Sequence, residues 1–396
     1  MKTKLLLAFS GGLDTSYCAK YLSSSKNFDV YSAIVNTGGF SENELNQIEK
    51  KALLLGVKEH TILEETQNYY QQIIKYLIYG NVLKNNTYPL SVSSERIHQA
   101  IALAKYAKKI GATFIAHGST GAGNDQVRFD LIFQLIAPEL TIITPIRDQQ
   151  LSREQEIQFL KENGVHLNWE TAKYSINKGL WGTSIGGAET LSSHLPLPNS
   201  AYPSQLTTQV PIKIELNFTK GEITGIHGKK TNPVLAIKQL ETIAKAFAIG
   251  RDIHVGDTII GIKGRVGFEA AAATIIIKAH HQLEKHTLTK WQLHLKEQMA
   301  NWYGMFIHDA QYFDASMRDI EAFLERTQEK VSGKVFIELH PYRFQVLGIE
   351  SDHDLMNADF GTYGESHQKW TGDDVKGFTK ILSNSMQVYQ HVNHSL

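Results

Sequence analysis

The chain has 396 residues and a single cysteine, Cys18. One cysteine excludes an internal disulfide framework and fits a reducing compartment. Cys18 follows a glycine turn on a predicted helix, where it is either a small packing residue, the commoner role, or a nucleophile. Net charge is missing as well: 40 basic residues face 40 acidic ones. No overall field therefore draws in nucleic acid or an anionic membrane. No apolar run reaches membrane-spanning length, and the run after Met1-Lys2-Thr3-Lys4 is too short for a signal peptide. A cytoplasmic protein is expected, with neither a nucleic-acid nor a membrane partner. Two nucleotide signatures are absent: the lysine-bearing Walker A loop and the Gly-x-Gly-x-x-Gly turn. Repeats and low-complexity linkers are absent too. The 17 histidines are scattered, without a second pair at ligand spacing, so no dedicated metal site is expected.

What remains is an ordinary globular composition, 42% hydrophobic and 20% charged, long enough for two domains. The chain is organised around Ala8-Phe9-Ser10-Gly11-Gly12-Leu13-Asp14-Thr15-Ser16. An apolar run, Leu5-Leu6-Leu7, precedes it as a strand, and Tyr17 to Leu22 follows as a helix. A Ser-Gly-Gly turn in that setting removes side chains from the place where backbone N–H groups and the positive helix end converge. Ser10, Thr15 and Ser16 add hydroxyl donors, and Asp14 can organise the turn or a hydrated Mg²⁺. The stretch resembles the pyrophosphate loop of ATP pyrophosphatases.

Strand, helix and strand then alternate. Phe28 to Val35 reads as a strand ending at Asn36-Thr37-Gly38-Gly39, and Ser41 with Glu44 forms a capping box. Thr61-Ile62-Leu63 is a third strand, Thr66 to Tyr79 a helix, and a further helix starts at Ser94. Thr113 to Ala116 and Thr141 to Ile146 are the fourth and fifth strands, and Ser152 with Gln155 caps the next helix. This is the rhythm of a parallel sheet with right-handed crossovers, whose ligands lie beyond the carboxyl ends of the strands. A second chemical stretch follows the fourth strand: His117-Gly118-Ser119-Thr120-Gly121-Ala122-Gly123-Asn124-Asp125-Gln126-Val127-Arg128-Phe129. Asn124, Asp125 and Arg128 project from the opening turn of a helix. Arginine suits a bidentate grip on a carboxylate, and Asn and Asp can read amide or ammonium groups.

Side by side, the two stretches resemble the argininosuccinate synthase family. Its second motif, His-Gly-x-Thr-Gly-x-Gly-Asn-Asp-Gln-Val-Arg-Phe, stands here almost letter for letter. Tyr88 with Ser93, Ser175 to Ser184 around Leu180-Trp181-Gly182, Ile260 to Lys263, Glu321 to Gly333 and the Gly377-Phe378 tail extend the likeness over essentially the whole chain. The resemblance implies an α/β fold. It comprises an ATP pyrophosphatase-type parallel-sheet domain over 1–167, an α+β synthetase and multimerisation domain over 168–370, and an oligomerisation helix over 371–396 of a homotetramer. It also implies an ATP-dependent ligase that adenylates citrulline with loss of pyrophosphate and joins it to aspartate, with Mg²⁺ on the nucleotide. By position, Ala8, Phe9, Ser10, Gly11, Gly12, Leu13, Asp14, Thr15, Ser16, Val35 and Gly118 would line ATP. Thr120, Asn124 and Asp125 would meet aspartate. Tyr88, Ser93, Asn124, Arg128, Ser175, Ser184, Gly256 and Phe268 would surround the citrulline. Ser10, Asp14, Asp125 and Arg128 would carry the catalysis.

The departures are as informative. Gly256 stands where the family has an acidic residue and Phe268 where it has a tyrosine. Ser175-Ile176-Asn177-Lys178-Gly179 replaces a Ser-Ile-Asp-Glu-Asn stretch, Ala122 a lysine and Gly39 a glutamine. Losing a carboxylate and a phenol removes partners for a cationic α-amino group, and an unpaired ammonium in a desolvated site is unfavourable. Two substrates fit: free citrulline, with a group such as Asp257 compensating, or an N-acylated citrulline (acetyl or succinyl), with Gly256 making room and Lys178 meeting an acyl carboxylate. Two further classes stand against the ligase. A tRNA-modifying adenylase would want a basic face and reactive cysteines, and a non-catalytic nucleotide sensor would have an eroded loop.

In the second half, Ile212 to Phe218, Gly221 to Ile226, Thr258 to Ile262 and Thr274 to Ala279 read as strands. Asn232-Pro233 to Ile249 and Leu288 to Tyr303 read as helices, and Lys334 to Ile349 as a hairpin. The mixture predicts α+β. Asp373 to Val392 reads as one amphipathic helix whose apolar face needs a partner.

Overall fold

Leu5, Leu6 and Leu7 are fully buried in strand β1 (Thr3–Ala8), the centre of a five-stranded sheet in the computed structural model. The structure describes residues 2–166, 174–357, 363–365 and 369–394. The expected domain boundary at 167/168 lies outside the described residues. The chain divides into two compact units, Met1–Asp352 and His353–Leu396.

The first sheet is wholly parallel. Its order is β3 (Glu59–Glu64), β2 (Phe28–Asn36), β1, β4 (Phe114–Ala116) and β5 (Thr141–Ile143). The strand order reverses between β1 and β4, which is where a ligand crevice opens in such sheets. Around it run helices α1 (Leu13–Ser24), α2 (Glu42–Leu54), α3 (Thr66–Tyr69), α4 (Lys75–Tyr79), α5 (Ser91–Lys109), α6 (Asp125–Ile136), α7 (Pro145–Asp148) and α8 (Arg153–Glu162). Both expected capping boxes are formed, Ser41 with Glu44 and Ser152 with Gln155. The helix expected over Thr66 to Tyr79 is broken by a π-helical turn at Tyr70–Ile74. The fifth strand stops at Ile143, short of the expected Ile146, because Pro145 opens α7.

Two antiparallel sheets follow. One is ordered β11 (Arg251–Asp257), β12 (Lys263–Glu269), β7 (Gly182–Gly186), β6 (Ser175–Gly179). The other is ordered β10 (Lys229–Lys230), β9 (Glu222–Ile226), β8 (Ile212–Thr219), β13 (Gly333–His340), β14 (Arg343–Glu350). Helices α9 (Pro233–Lys245) and α10 (Ala271–Thr287) pack on them, while α11 (Lys290–His308) packs on α5 and α12 (Ala315–Thr327), and α12 on α4.

Two expected strands are something else. Thr274 to Ala279 lies within α10, and a short apolar run such as its buried Ile275-Ile276-Ile277 reads alike as central strand or buried helix. Here the preceding Ala270-Ala271-Ala272-Ala273 run favours the helix. Thr258 to Ile262 is the turn between β11 and β12, closed by Gly261 N–H to Thr258 O (2.9 Å) and Thr258 N–H to Ile262 O (2.8 Å).

In the second unit, the single expected helix is two, α13 (Gly372–Leu382) and α14 (Asn384–Asn393), with no buried residue on either. Val375, Phe378, Ile381, Leu382, Met386 and Val392 are all exposed.

Candidate functional site

The strand-to-helix turn leaves backbone donors open at the start of α1. Phe9, 2% exposed, anchors it by donating to Ala33 O at 2.9 Å. The Gly11 carbonyl is held by Lys51 Nζ at 2.9 Å. Gly12 is the N-cap of α1 and offers no side chain, so the first amides of this 12-residue helix have no capping partner from it. Those donors and the positive helix end face the carboxyl edge of the sheet. Ser10 Oγ and Thr15 Oγ1 lie 3.3 Å apart, and Ser16 Oγ is buried with no partner. Ala8 ends β1, Leu13 is buried at the helix start, and Val35 is buried at the carboxyl end of the neighbouring β2. Asp14 touches Glu156 of α8. Burial, and then the Asp14 charge, push the Glu156 carboxyl far above the ordinary carboxylate range. Cys18 is fully buried and burial pushes its thiol up, so it packs rather than reacts.

The loop after β4 lies against this turn. A Cβ on Gly118 would stand 3.2 Å from both Asp14 C and Thr15 N, so a side chain there would push the two loops apart by a few tenths of an ångström. His117 Nδ1 accepts from the Ser119 amide (3.2 Å) and its Nε2 bonds Asp130 Oδ1 (2.8 Å), which fixes the loop's start. Thr120 is exposed at its crest. Asn124 Oδ1 accepts from Ile259 N–H at 2.8 Å and ties the loop to the β11–β12 turn.

Asp125 sits between two guanidiniums, Arg96 Nε at 2.9 Å and Arg128 NH1 at 3.2 Å. Burial alone would raise its carboxyl, but the two arginines hold it below its usual value. Arg128, 3% exposed, turns most of its donors onto the protein itself: His308 O (3.0 and 3.3 Å), Ser93 Oγ (3.1 Å) and Asp125. The expected open fork for a carboxylate is thus largely committed to chain contacts. Arg96, which the sequence reading missed, also reaches Asn177 Oδ1 at 2.7 Å and links α5 to β6.

Strand register assembles the other end. Asn177 is opposite Ser184, Ser184 opposite Phe268, and Phe268 opposite Asp252. Because side chains alternate, Ser175, Asn177, Ser184, Phe268, His254 and Gly256 share one face of this sheet. Tyr88 is against that face, with its ring 5.4 Å from Phe268 and 5.3 Å from His254. The Tyr88 hydroxyl is already bonded to Ser91 Oγ (3.1 Å) and the Val92 amide (3.0 Å). Residues expected to surround one substrate therefore come together, with a histidine that the sequence reading did not single out.

Three expectations about the departures fail. Gly256 does not make room: a Cβ there would stand 2.6 Å from His254 Nε2, so the imidazole fills the space. The Lys178 ammonium lies 3.9 Å from Glu44 of α2. It follows that Lys178 sits on the opposite sheet face from Asn177. Asp257 likewise alternates away from Gly256 and pairs with Lys263 at 2.7 Å, both half-exposed or more. No cluster of three or more His, Cys, Asp or Glu side chains that could hold a metal occurs among the described residues. Among the described residues no helix is long and apolar enough to cross a membrane.

Family models and relatives match nearly the whole chain. The family model described as the argininosuccinate synthase N-terminal HUP domain matches residues 4–166, and that described as the argininosuccinate synthase C-terminal domain matches 174–389. The chain is similar to a protein of Dictyoglomus turgidum named argininosuccinate synthase, with 35% identity over 98% of each chain. A protein of the same name from Methanocaldococcus jannaschii is 36% identical, over 92% of this chain and 93% of its own. Another from Xanthomonas campestris is 34% identical over 98% of each.

Proposed function

The chain belongs to the argininosuccinate synthase family, and on that premise we infer the reaction its site performs. The chain is an ATP-dependent ligase of arginine biosynthesis. The ureido oxygen of citrulline attacks the α-phosphorus of ATP, and the bond to the bridging oxygen breaks as pyrophosphate leaves. The aspartate amine then attacks the adenylated ureido carbon, AMP departs with the ureido oxygen, and the amine loses its proton to give argininosuccinate.

The observation that carries this reading is the meeting of two loops at the sheet's switch point through Gly118. It supports a nucleotide and an amino acid held side by side. Leaving pyrophosphate is stabilised by the amides that open α1 and by Ser10, Thr15 and Ser16, with no reorganisation at the moment of reaction. Asp14 is the loop carboxylate suited to a hydrated Mg²⁺. The lack of a carboxylate cage among the described residues fits an ion held mainly by phosphates and water, where it would neutralise charge on the leaving group. In this reading Thr120, Asn124 and Asp125 hold aspartate, and Tyr88, Ser93, Asn124, Arg128, Ser175 and Ser184 surround citrulline with Gly256 and Phe268. Ser10, Asp14, Asp125 and Arg128 stay closest to the reacting groups. The exposed apolar residues of α13 and α14 support self-association, and the assembly in this proposal is a homotetramer in the cytoplasm. A nucleotide-binding domain over 1–167, a synthetase domain over 168–370 and a terminal oligomerisation segment complete the proposal.

An N-acylated citrulline is the second reading, and it has lost both its supports, the space at Gly256 and the cation at Lys178. Pyrophosphate release with ATP, Mg²⁺ and aspartate, offering citrulline, N-acetylcitrulline and N-succinylcitrulline in parallel, tests the choice. Turnover with free citrulline is expected, and turnover confined to an acylated form would reverse it.

A further inference from the structure

Among the described residues six histidines are buried: His60, His98, His117, His254, His280 and His308. Five have a ring nitrogen paired: with Ser32, Glu65, Asp130, Asn81 and Asp309, respectively. His254 is the exception among the described residues. It is 6% exposed and has neither ring nitrogen paired; its Nδ1 is enclosed without a partner, as are His60 Nε2 and His98 Nδ1, whose other nitrogens are bonded. A polar ring nitrogen taken from water and left unpaired destabilises the fold by about 1–3 kcal/mol unless something else pairs it.

Its position says what that something is. His254 shares its sheet face with Ser184 and Phe268, and its ring stacks on Tyr88 with centroids 5.3 Å apart and planes at 28°. On its own strand, Gly256 is the residue that lets the imidazole lie where it does. Asn85 holds the strand between them by donating to Val255 O at 2.9 Å. Burial, then the charges of His308 and Lys84, hold the ring neutral, pulling its pKa down to about 4. Arg128 donates to the His308 carbonyl but is paired with Asp125, and His308 is paired with Asp309, so neither adds a free positive charge here. Lys84 and a neutral N–H donor suit an anion rather than an ammonium.

We propose that His254 is a substrate-contacting specificity residue whose imidazole donates a hydrogen bond to the α-carboxylate of the citrulline. The assignment rests on the citrulline–aspartate ligation above and adds the group that orients the amino-acid end of that substrate. His254 reads the end remote from the ureido oxygen, so it acts on binding rather than on the chemical step.

The test measures kcat and KM for His254→Leu and His254→Asn with citrulline and with citrullinamide, whose α-carboxylate is an uncharged amide. With citrulline, H254L raises KM roughly ten- to hundred-fold, the span of a hydrogen bond to a charged group, while KM for ATP and aspartate is unchanged. H254N, which keeps a donor, recovers part of the loss. With citrullinamide, the two variants and the parent differ by less than about two-fold, since the charged partner is gone. Gly256→Ala, which displaces the ring without removing it, reproduces the citrulline defect and serves if H254L does not fold. Unchanged KM for citrulline in H254L and H254N overturns the proposal and leaves the ligase reading standing, as does an equal loss with citrulline and citrullinamide. A parent protein that neither binds nor turns over citrulline removes the ligase reading, and this assignment with it.

Discussion

The two ends of the site are made in different ways. At the phosphate end, the turn from Phe9 to Gly12 and the loop from His117 to Asn124 work through backbone amides at the edge of one parallel sheet. At the amino-acid end, side chains from β6, β7, β11 and β12 are brought to one face by antiparallel register. The first kind of site is short-range: nine consecutive residues hold the donors, and few substitutions are compatible with the turn. The second is long-range, and a single change is answered by a neighbour two residues away, as His254 answers Gly256. Conserving the chemistry therefore fixes letters at one end and only a surface at the other.

The sharpest way to break the comparison is Gly118→Val. Its Cβ would meet the first turn of α1 at 3.2 Å. The branched side chain would push the first turn of α1 away from the loop, and the substitution should lower kcat/KM for ATP by about ten-fold or more, since misplaced catalytic groups cost rate steeply. A loss under about five-fold, measured by pyrophosphate release, would mean the two loops do not act together.

Glu156→Gln tests the same end through stability. In the folded protein, burial beside Asp14 keeps Glu156 protonated above the range where an unfolded glutamate, with pKa about 4.3, has already ionised. The folded state binds the extra proton, so the parent loses stability as pH rises from that range through neutrality. The melting temperature of E156Q relative to the parent should therefore climb with pH over this window and level off at acid pH. A difference that does not vary with pH would remove the Asp14–Glu156 contact from the account.

The smallest effect is expected at Lys178→Ala. The ammonium is about half exposed and 3.9 Å from Glu44, and such surface pairs contribute little. Kinetic constants for citrulline should stay within about two-fold. A ten-fold rise in KM would put Lys178 back in the substrate site.

The sequence made the phosphate end legible because Ser10-Gly11-Gly12 and His117 to Asp125 are contiguous, and because caps such as Ser41 with Glu44 are local chemistry. The five parallel strands were visible for the same reason. Thr274 to Ala279 was misread because β-branched residues surrounded by core give no period to choose between strand and helix. Thr258 to Ile262 was misread because its three isoleucines make a short apolar run, although Gly261 closes a turn within it. Arg96 and His254 were invisible as site residues. Arg96 gains its role from Asp125 and Asn177, 29 and 81 positions away. His254 gains its role from Tyr88, which only the assembled sheet brings near.

The central claim is that the ureido oxygen itself attacks ATP. Citrulline carrying heavy oxygen in its ureido group, turned over with ATP and aspartate, tests this directly by mass spectrometry of the released nucleotide. The account predicts that the label appears in AMP, one atom per argininosuccinate formed. Unlabelled AMP, or release of ADP and phosphate in place of AMP and pyrophosphate, would contradict it.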